Sequence, residues 1–386
     1  MMMKSTLFFL IGLGASTSTI VRAEKTKDKE VILVGGVHSM TGPEATFGVS
    51  TVNGVNLALK KINAAGGVNG RLIQFKNLDN QGKPEESASA IKRLINYDKV
   101  IAVIGEVASS NSLAMAPIAQ SSKIPMISPS STNERVTAEG DYIFRVCFID
   151  PFQGTVMAKF ALETLKIKKV AVLRDTTSDY SKGLAKHFKE YFIKHGGTIT
   201  TGTEEKDDQT YSKGNIEFKP QLTTIRSQKP EAIFVPGYYT DVGLIARQAR
   251  ELGIKVPLLG GDGWDSEKLT EIAQKAIDGS FYSNHYSADD KAENVQKFIS
   301  DYKAEYKKTP DGLAALGYDA MVLLVDTMKK TKEVTSKNIR DELAKTKDFK
   351  GVTGNITMDA NRNPVKSAVV VELVKGEHHF KQTINP

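Results

Sequence analysis

Two runs of hydroxyl-bearing side chains, Ser109-Ser110-Asn111 and Ser130-Ser131-Thr132, each come just after a short apolar stretch, at residues 101–104 and 125–127. Residues 101–137 read as strand, loop, helix, strand, loop and the start of a helix. Two parallel strands of one βαβ unit would then end in hydroxyl-rich loops at the same sheet edge. In open α/β sheets that edge is where ligands bind. Hydroxyls and free backbone N–H groups at a helix start suit a carboxylate or a phosphate. The same residue types are also ordinary helix N-caps, so both readings stand on residue type alone.

A second group lies further along the chain: Tyr180, the pair Tyr238-Tyr239, and Asp262 within Gly260-Gly261-Asp262-Gly263. Hydroxyl donors on one domain and a carboxylate on another would suit a zwitterion. The carboxylate of an amino acid would take the hydroxyls and N–H groups, and its ammonium would take Asp262. Composition alone favours Asp262 as a turn residue between glycines, and the tyrosine pair also reads as amphipathic surface. Enzyme chemistry finds little support. The six histidines are scattered, and neither an H-E-x-x-H motif nor a cysteine pair marks a metal site. Gly35-Gly36 and Gly66-Gly67 fit neither a phosphate loop nor a dinucleotide fingerprint, and Ser109 lacks a G-x-S-x-G elbow. No catalytic residue, metal site or cofactor is expected. Cys147, the single cysteine, sits in an apolar run and reads as a core thiol.

The elements that must position these residues follow an α/β rhythm. Residues 31–37 form a near-continuous apolar strand, as in parallel sheets covered on both faces. Strand and helix patterns then alternate as far as residue 137, implying a doubly wound parallel sheet. The rhythm breaks near Tyr142 to Asp150, and a second βαβ series runs from about residue 152 to Trp264. A strand at 280–286, three helices and a hairpin-like tail around Lys375-Gly376 complete the pattern. Lys4, the apolar run 7–13 and the small residues flanking Arg22 read as a secretory signal peptide over residues 1–23. No cysteine follows that would carry a lipid, so a soluble periplasmic protein without a lipid anchor is expected. The remaining chain is long enough for two domains. The net charge of +7 comes from scattered lysines and reads as solvated surface rather than a nucleic-acid footprint.

In this order and spacing, several short motifs are specific together. They are S-M-T-G-P at 39–43, N-G-V-N-L-A at 53–58, I-N-A-A-G-G-V-N-G-R at 62–71, D-N-Q-G-K-P from Asp79, G-E-V-A-S-S from Gly105, I-P-M-I-S-P-S-S-T from Ile124, and G-V-T-G at 351–354. The chain resembles the periplasmic substrate-binding proteins of ABC transporters, of the leucine/isoleucine/valine-binding type. The resemblance implies a type I periplasmic-binding-protein fold: two doubly wound parallel-sheet lobes joined by three crossover strands, near 145–150, 280–286 and 351–357. One lobe would comprise residues 24–146 plus 284–351, the other 147–283 plus 352–386. It further implies that Ser109 and the loop Ser130, Ser131, Thr132 hold a ligand carboxylate and that Asp262 meets the ammonium. Phe47 would line the side-chain pocket, with Tyr180 and Tyr238 or Tyr239 closing over the ligand. Family members often carry Glu where this chain has Asp262. An aliphatic or branched-chain amino acid is the implied ligand and a membrane-embedded ABC permease the implied partner, with the binding protein a monomer. A sensor of the same fold and an exported hydrolase using Ser109 or Asp262 are the alternatives.

Overall fold

Apolar strands ending in polar loops are the repeating unit of the computed structural model, which describes residues 31–386. The expected signal peptide lies outside the described residues. The first sheet holds β1 (Ile32–His38), β2 (Ile73–Asp79), β3 (Ala102–Gly105), β4 (Met126–Ser128) and β5 (Ile143–Arg145). Its order is β2-β1-β3-β4-β5, all parallel. The order reverses direction at β1, so loops after β1 and β3 diverge around a crevice at their carboxyl ends. The helices of this sheet are α1 (Ala45–Ala64), α2 (Pro84–Asn96), α3 (Ser109–Ser122) and the short α4 (Arg135–Ala138). Helix α2 opens on Pro84 with Glu85 and Glu86 in its first turn, as a helix N-terminus favours.

The chain then passes to a second sheet through α5 (Asp150–Lys159). This sheet contains β6 (Lys169–Asp175), β7 (Thr198–Ile199), β8 (Gln209–Tyr211), β9 (Ala232–Phe234), β10 (Leu258–Gly260) and β11 (Ser280–Asn284). Its helices are α6 (Asp179–Lys194), α7 (Lys219–Ser227), α8 (Tyr239–Glu251) and α9 (Glu267–Ala273). After β11 the chain returns to the first lobe, where α10 (Glu293–Tyr306), α11 (Gly312–Lys330) and α12 (Ser336–Leu343) are formed. Helix α11 lies close against α1. A Cβ on Gly54 would overlap the Ala314 carbonyl oxygen, and one on Gly317 would overlap that of Thr51.

Two departures from the sequence reading have physical causes. The stretch 351–357 is not a crossing strand. It belongs to a small hairpin, β12 (Phe349–Gly351) with β13 (Gly354–Ile356). Asp319 of α11 anchors its turn by accepting from Val352 N at 2.7 Å and Thr353 N at 2.9 Å. The third passage comes after this hairpin and leads to β14 (Ala368–Val374) and β15 (Glu377–Ile384). β14 adds antiparallel to β11 and β15 antiparallel to β14, so the second sheet is mixed, in the order β15-β14-β11-β10-β9-β6-β7 with β8 paired to the end of β6. The tight turn at Lys375-Gly376 allows only an antiparallel return.

The largest apolar cluster runs from Ile104 and Ile127 of the first sheet through Phe47 and Tyr239 to Ile233 and Trp264 of the second lobe. Cys147 is fully buried, and burial pushes its thiol up to about 12. Among the described residues no helix is long and apolar enough to cross a membrane.

Candidate functional site

Strand β3 ends at Gly105, and the next residue organises the loops of the first lobe. Glu106 is completely buried. Its Oε1 accepts from Ser39 N at 3.1 Å and from Asn80 Nδ2 at 3.1 Å, and its Oε2 accepts from Ala108 N. One carboxyl group thus ties together the loops after β1, β2 and β3. Burial pushes it up from the ordinary carboxyl range, against the pull of its donors. Its carbonyl oxygen accepts from Ser128 Oγ at 2.7 Å and Ser131 Oγ at 3.0 Å, which pins the loop after β4 to the same frame. The fully buried Arg145 supports that loop from below, donating to the carbonyl oxygens of Ser131 and Asn133.

This frame presents Ser109 and Ser130 to a small cavity. Its wall is completed by Phe47, Val107 and Leu313 from the first lobe and by Tyr180, Tyr238, Asp262 and Gly263 from the second. Six of the nine residues singled out from the sequence therefore meet at one place. The other three do not line it. Ser131 points its hydroxyl into the lobe, 2.7 Å from Ser112 Oγ, and so braces the loop. Thr132 is fully buried, and its carbonyl accepts from Asp150 N at 2.8 Å. Tyr239 packs edge-on against Phe47 with ring centroids 5.0 Å apart and accepts from Thr46 N at 3.3 Å, outside the cavity wall. Tyr238 is the member of the pair that lines it. Its ring stacks on Tyr180 at 5.3 Å and meets Phe47 edge-on at 5.5 Å.

Asp262 is the only acidic residue in this wall. Its Oδ1 accepts from Gln153 Nε2 at 2.8 Å, and its Oδ2 lies 3.1 Å from Ser130 Oγ and 3.0 Å from His285 Nε2. Burial alone would raise this carboxyl, but His285, Gln153 and Tyr180 hold it below the usual range. It is therefore a buried, fully ionised acceptor at neutral pH. Burial holds His285 below its ordinary value despite Asp262, so the imidazole is neutral and donates through Nε2. Gln153 and His285 escaped the sequence reading. Gln153 lies on the first turn of α5 and His285 directly after β11, so each belongs to a passage between the lobes. The free volume left among these side chains is about 10 Å³, room for about one water and smaller than any amino acid.

Outside the cavity the lobes are bonded at several points. Lys213 Nζ reaches Glu44 Oε2 at 2.8 Å and Gly82 O at 2.9 Å. Ser110 Oγ donates to Asp179 Oδ2 at 2.9 Å, Thr46 Oγ1 lies 2.9 Å from Ser266 Oγ, and Glu134 Oε1 lies 3.0 Å from His187 Nε2. Among the described residues, no group of three or more His, Cys, Asp or Glu is assembled as metal ligands.

Comparison with known proteins places this geometry among relatives. The family model described as periplasmic binding protein matches residues 31–377. A Leu/Ile/Val-binding protein homolog of Brucella melitensis is 31% identical over 254 residues, covering 66% of this chain and 67% of that protein. The leucine-specific-binding protein of Salmonella typhimurium is 31% identical over 300 residues, 78% of each chain. Among solved structures, a leucine-binding protein from Thermotoga maritima superposes with a TM-score of 0.88 at 38% identity, covering 92% of this chain and 99% of that one. A branched-chain amino acid transporter substrate-binding protein from Streptococcus pneumoniae, in complex with isoleucine, gives 0.87 at 35% identity over 92% of this chain and 100% of that one.

Proposed function

This chain belongs to the periplasmic binding protein family, and from that premise we propose that it captures an aliphatic or branched-chain amino acid between two hinged lobes and delivers it to an ABC transporter permease. One observation carries the reading. Hydroxyl donors from one lobe, Ser109 and Ser130, and an ionised carboxylate from the other, Asp262, line the same small cavity together with apolar and aromatic walls. That is the charge pattern of a zwitterion with an uncharged side chain.

In this reading the ligand carboxylate binds at the N-terminus of α3, on Ser109 Oγ and nearby backbone N–H groups, where the helix dipole favours an anion. The ammonium replaces Ser130 on Asp262 Oδ2. The side chain rests on Phe47, Val107, Leu313 and the Tyr238 ring. A cavity of about 10 Å³ requires the lobes to part before a ligand enters, and closure then rebuilds contacts such as Ser110 with Asp179 and Thr46 with Ser266. The moving bodies are the two sheets with their helices, and the hinge is the set of three passages between them. The protein does no chemistry on its ligand. It acts as a monomer outside the cytoplasmic membrane, in the periplasm, after removal of residues 1–23. Calorimetry with a panel of the standard amino acids tests the proposal. Saturable binding of leucine, isoleucine or valine without turnover supports it; no binding by any amino acid, or formation of a product, overturns it.

A further inference from the structure

A much larger cavity, about 480 Å³, lies back to back with the one just described. Phe47 and Leu313 wall the smaller cavity, while their neighbours Thr46 and Gly312 wall the larger. Four carboxyl side chains line it: Glu267, paired with Lys308, Glu377, paired with His379, and two others, Asp311 from the cap of α11 and Asp265 from the loop after β10. Asp311 Oδ1 accepts from Ser50 Oγ at 2.5 Å and Ala314 N at 2.8 Å. Asp265 accepts from Tyr282 OH at 3.1 Å, Asn284 Nδ2 at 2.8 Å and Gly312 N at 2.7 Å. Among the described residues neither acid pairs with a lysine or arginine; His378 Nδ1, 4.0 Å from Asp265, is the nearest basic group. Lys308, at the rim, is already paired with Glu267.

A second observation is independent of the acids. Tyr286 lines this cavity, is only 5% exposed, and its hydroxyl has no hydrogen-bond partner among the described residues. Burial pushes this hydroxyl above its ordinary value, and the charges of Asp265 and Asp311, which line the same cavity, push it the same way. A buried, unsatisfied hydroxyl in one cavity with two carboxylates that no lysine or arginine neutralises is costly unless something joins them. Ala45, Val49, Pro310 and Val371 supply apolar wall, alongside uncharged polar side chains such as Asn53, Thr270 and Thr309.

We propose that this cavity is a second binding site, for a small organic cation whose ammonium group sits between Asp265, Asp311 and Tyr286 while its apolar body lies along the aliphatic wall. Tyrosine rings beside a cation add to such binding. Burial and the Asp265 carboxylate push Asp311 up to about 7, a repulsion that a cation between the two acids would relieve. Because Asp311 and Ser50 come from one lobe and Asp265 from the other, an occupant would bridge them.

The test is calorimetric titration of the mature protein with n-butylammonium chloride, with n-butanol and butyrate as controls. Saturable binding of the ammonium alone is expected. It should persist in Asp262→Ala, which disables the smaller cavity, and weaken at least tenfold in Asp311→Asn, since truncating one partner of a buried charge pair costs that much or more. Asparagine can still cap α11, and a thermal melt checks the fold. Val49→Trp, at a wall residue that is 41% exposed, provides a second variant that leaves both acids in place and should also lose binding by occlusion. No saturable binding by the wild type, equal binding by Asp311→Asn and Val49→Trp, or loss in Asp262→Ala overturns the proposal.

Discussion

His285 Nε2 lies 3.0 Å from Asp262 Oδ2, with both side chains buried and the imidazole stacked on Phe148 at a centroid distance of 3.7 Å. The contact links the proposed ammonium acceptor to the passage that leaves β11, so the hinge and the ligand site share a hydrogen bond. A neutral imidazole donating to a buried carboxylate fixes its direction and keeps it ionised. Removing such a donor costs about 1.5–3 kcal/mol, because the bond is to a charged group. His285→Ala should therefore weaken amino acid binding by roughly 10- to 100-fold, and His285→Gln, which retains a donor, should recover part of the loss. Calorimetry on both variants checks this. Wild-type affinity in His285→Ala would mean that Gln153 alone orients Asp262.

Asp262 itself separates two kinds of ligand. If it meets the ammonium, Asp262→Ala should reduce leucine or isoleucine affinity by about 2–5 kcal/mol, as expected for breaking a buried hydrogen-bonded charge pair. The affinity for 4-methylpentanoate, which keeps the carboxylate and the apolar chain but lacks the amine, should change far less. Competition titrations with the two ligands give the ratio directly. Equal losses for both would assign Asp262 the turn role that Gly261 and Gly263 on either side also allow.

Much of this arrangement was legible in the residues. The strands ending at His38, Gly105 and Ser128 are apolar runs closed by polar loops, and such runs are readable because burial on both faces leaves no alternation to confuse them. Ser109 and Ser130 could be found because they follow those strands. Ser131 could not be told from Ser130, since the loop turns adjacent hydroxyls to opposite sides and only the buried carbonyl oxygens of Glu106 and Val107 decide which one faces inward. Gln153 and His285 carried no local signal. They reach Asp262 from 109 and 23 residues away, through two different passages, and that convergence exists only once the lobes have formed. The hairpin of β12 and β13 was hidden for a similar reason, because Asp319 that anchors it lies on another element.

The α1–α11 contact predicts a cost for filling it. At Gly54 the two backbones approach so closely that even a methyl group meets the Ala314 carbonyl oxygen, and the Tyr318 nitrogen lies 2.9 Å from its position. Neither atom can rotate away, so the helices must separate. Gly54→Ala should destabilise the protein by about 1–3 kcal/mol, the range for overpacked interiors, despite alanine's better helix propensity. A thermal melt should show the midpoint falling by several degrees. An unchanged or higher midpoint would show that α11 can shift freely.

The pair His187–Glu134 predicts how closure responds to pH. His187 lies on α6 of the second lobe and Glu134 in the loop before α4 of the first, 3.0 Å apart, so the contact exists only when the lobes meet. Burial lowers the His187 value, but Glu134 and Glu190 outweigh it and raise the imidazole above its ordinary 6.5. The hydrogen bond from His187 holds Glu134 below its ordinary 4.5. The pair therefore stabilises the closed form fully between those two ordinary values. The contribution fades as pH rises through the raised His187 value and His187 loses its charge. It also fades as pH falls through the lowered Glu134 value. Glu190 is on the same helix as His187 and stays with it in the open form, so only the Glu134 part of the shift drives closure. Both groups are partly solvated, which limits the effect to about 1 kcal/mol or less. Ligand affinity should thus fall by up to roughly fivefold between pH 6 and pH 8.5, and His187→Ala should flatten that slope while leaving affinity at the upper pH nearly unchanged. Titrations of both proteins across this range decide it; an equally steep profile in His187→Ala would place the titrating group elsewhere.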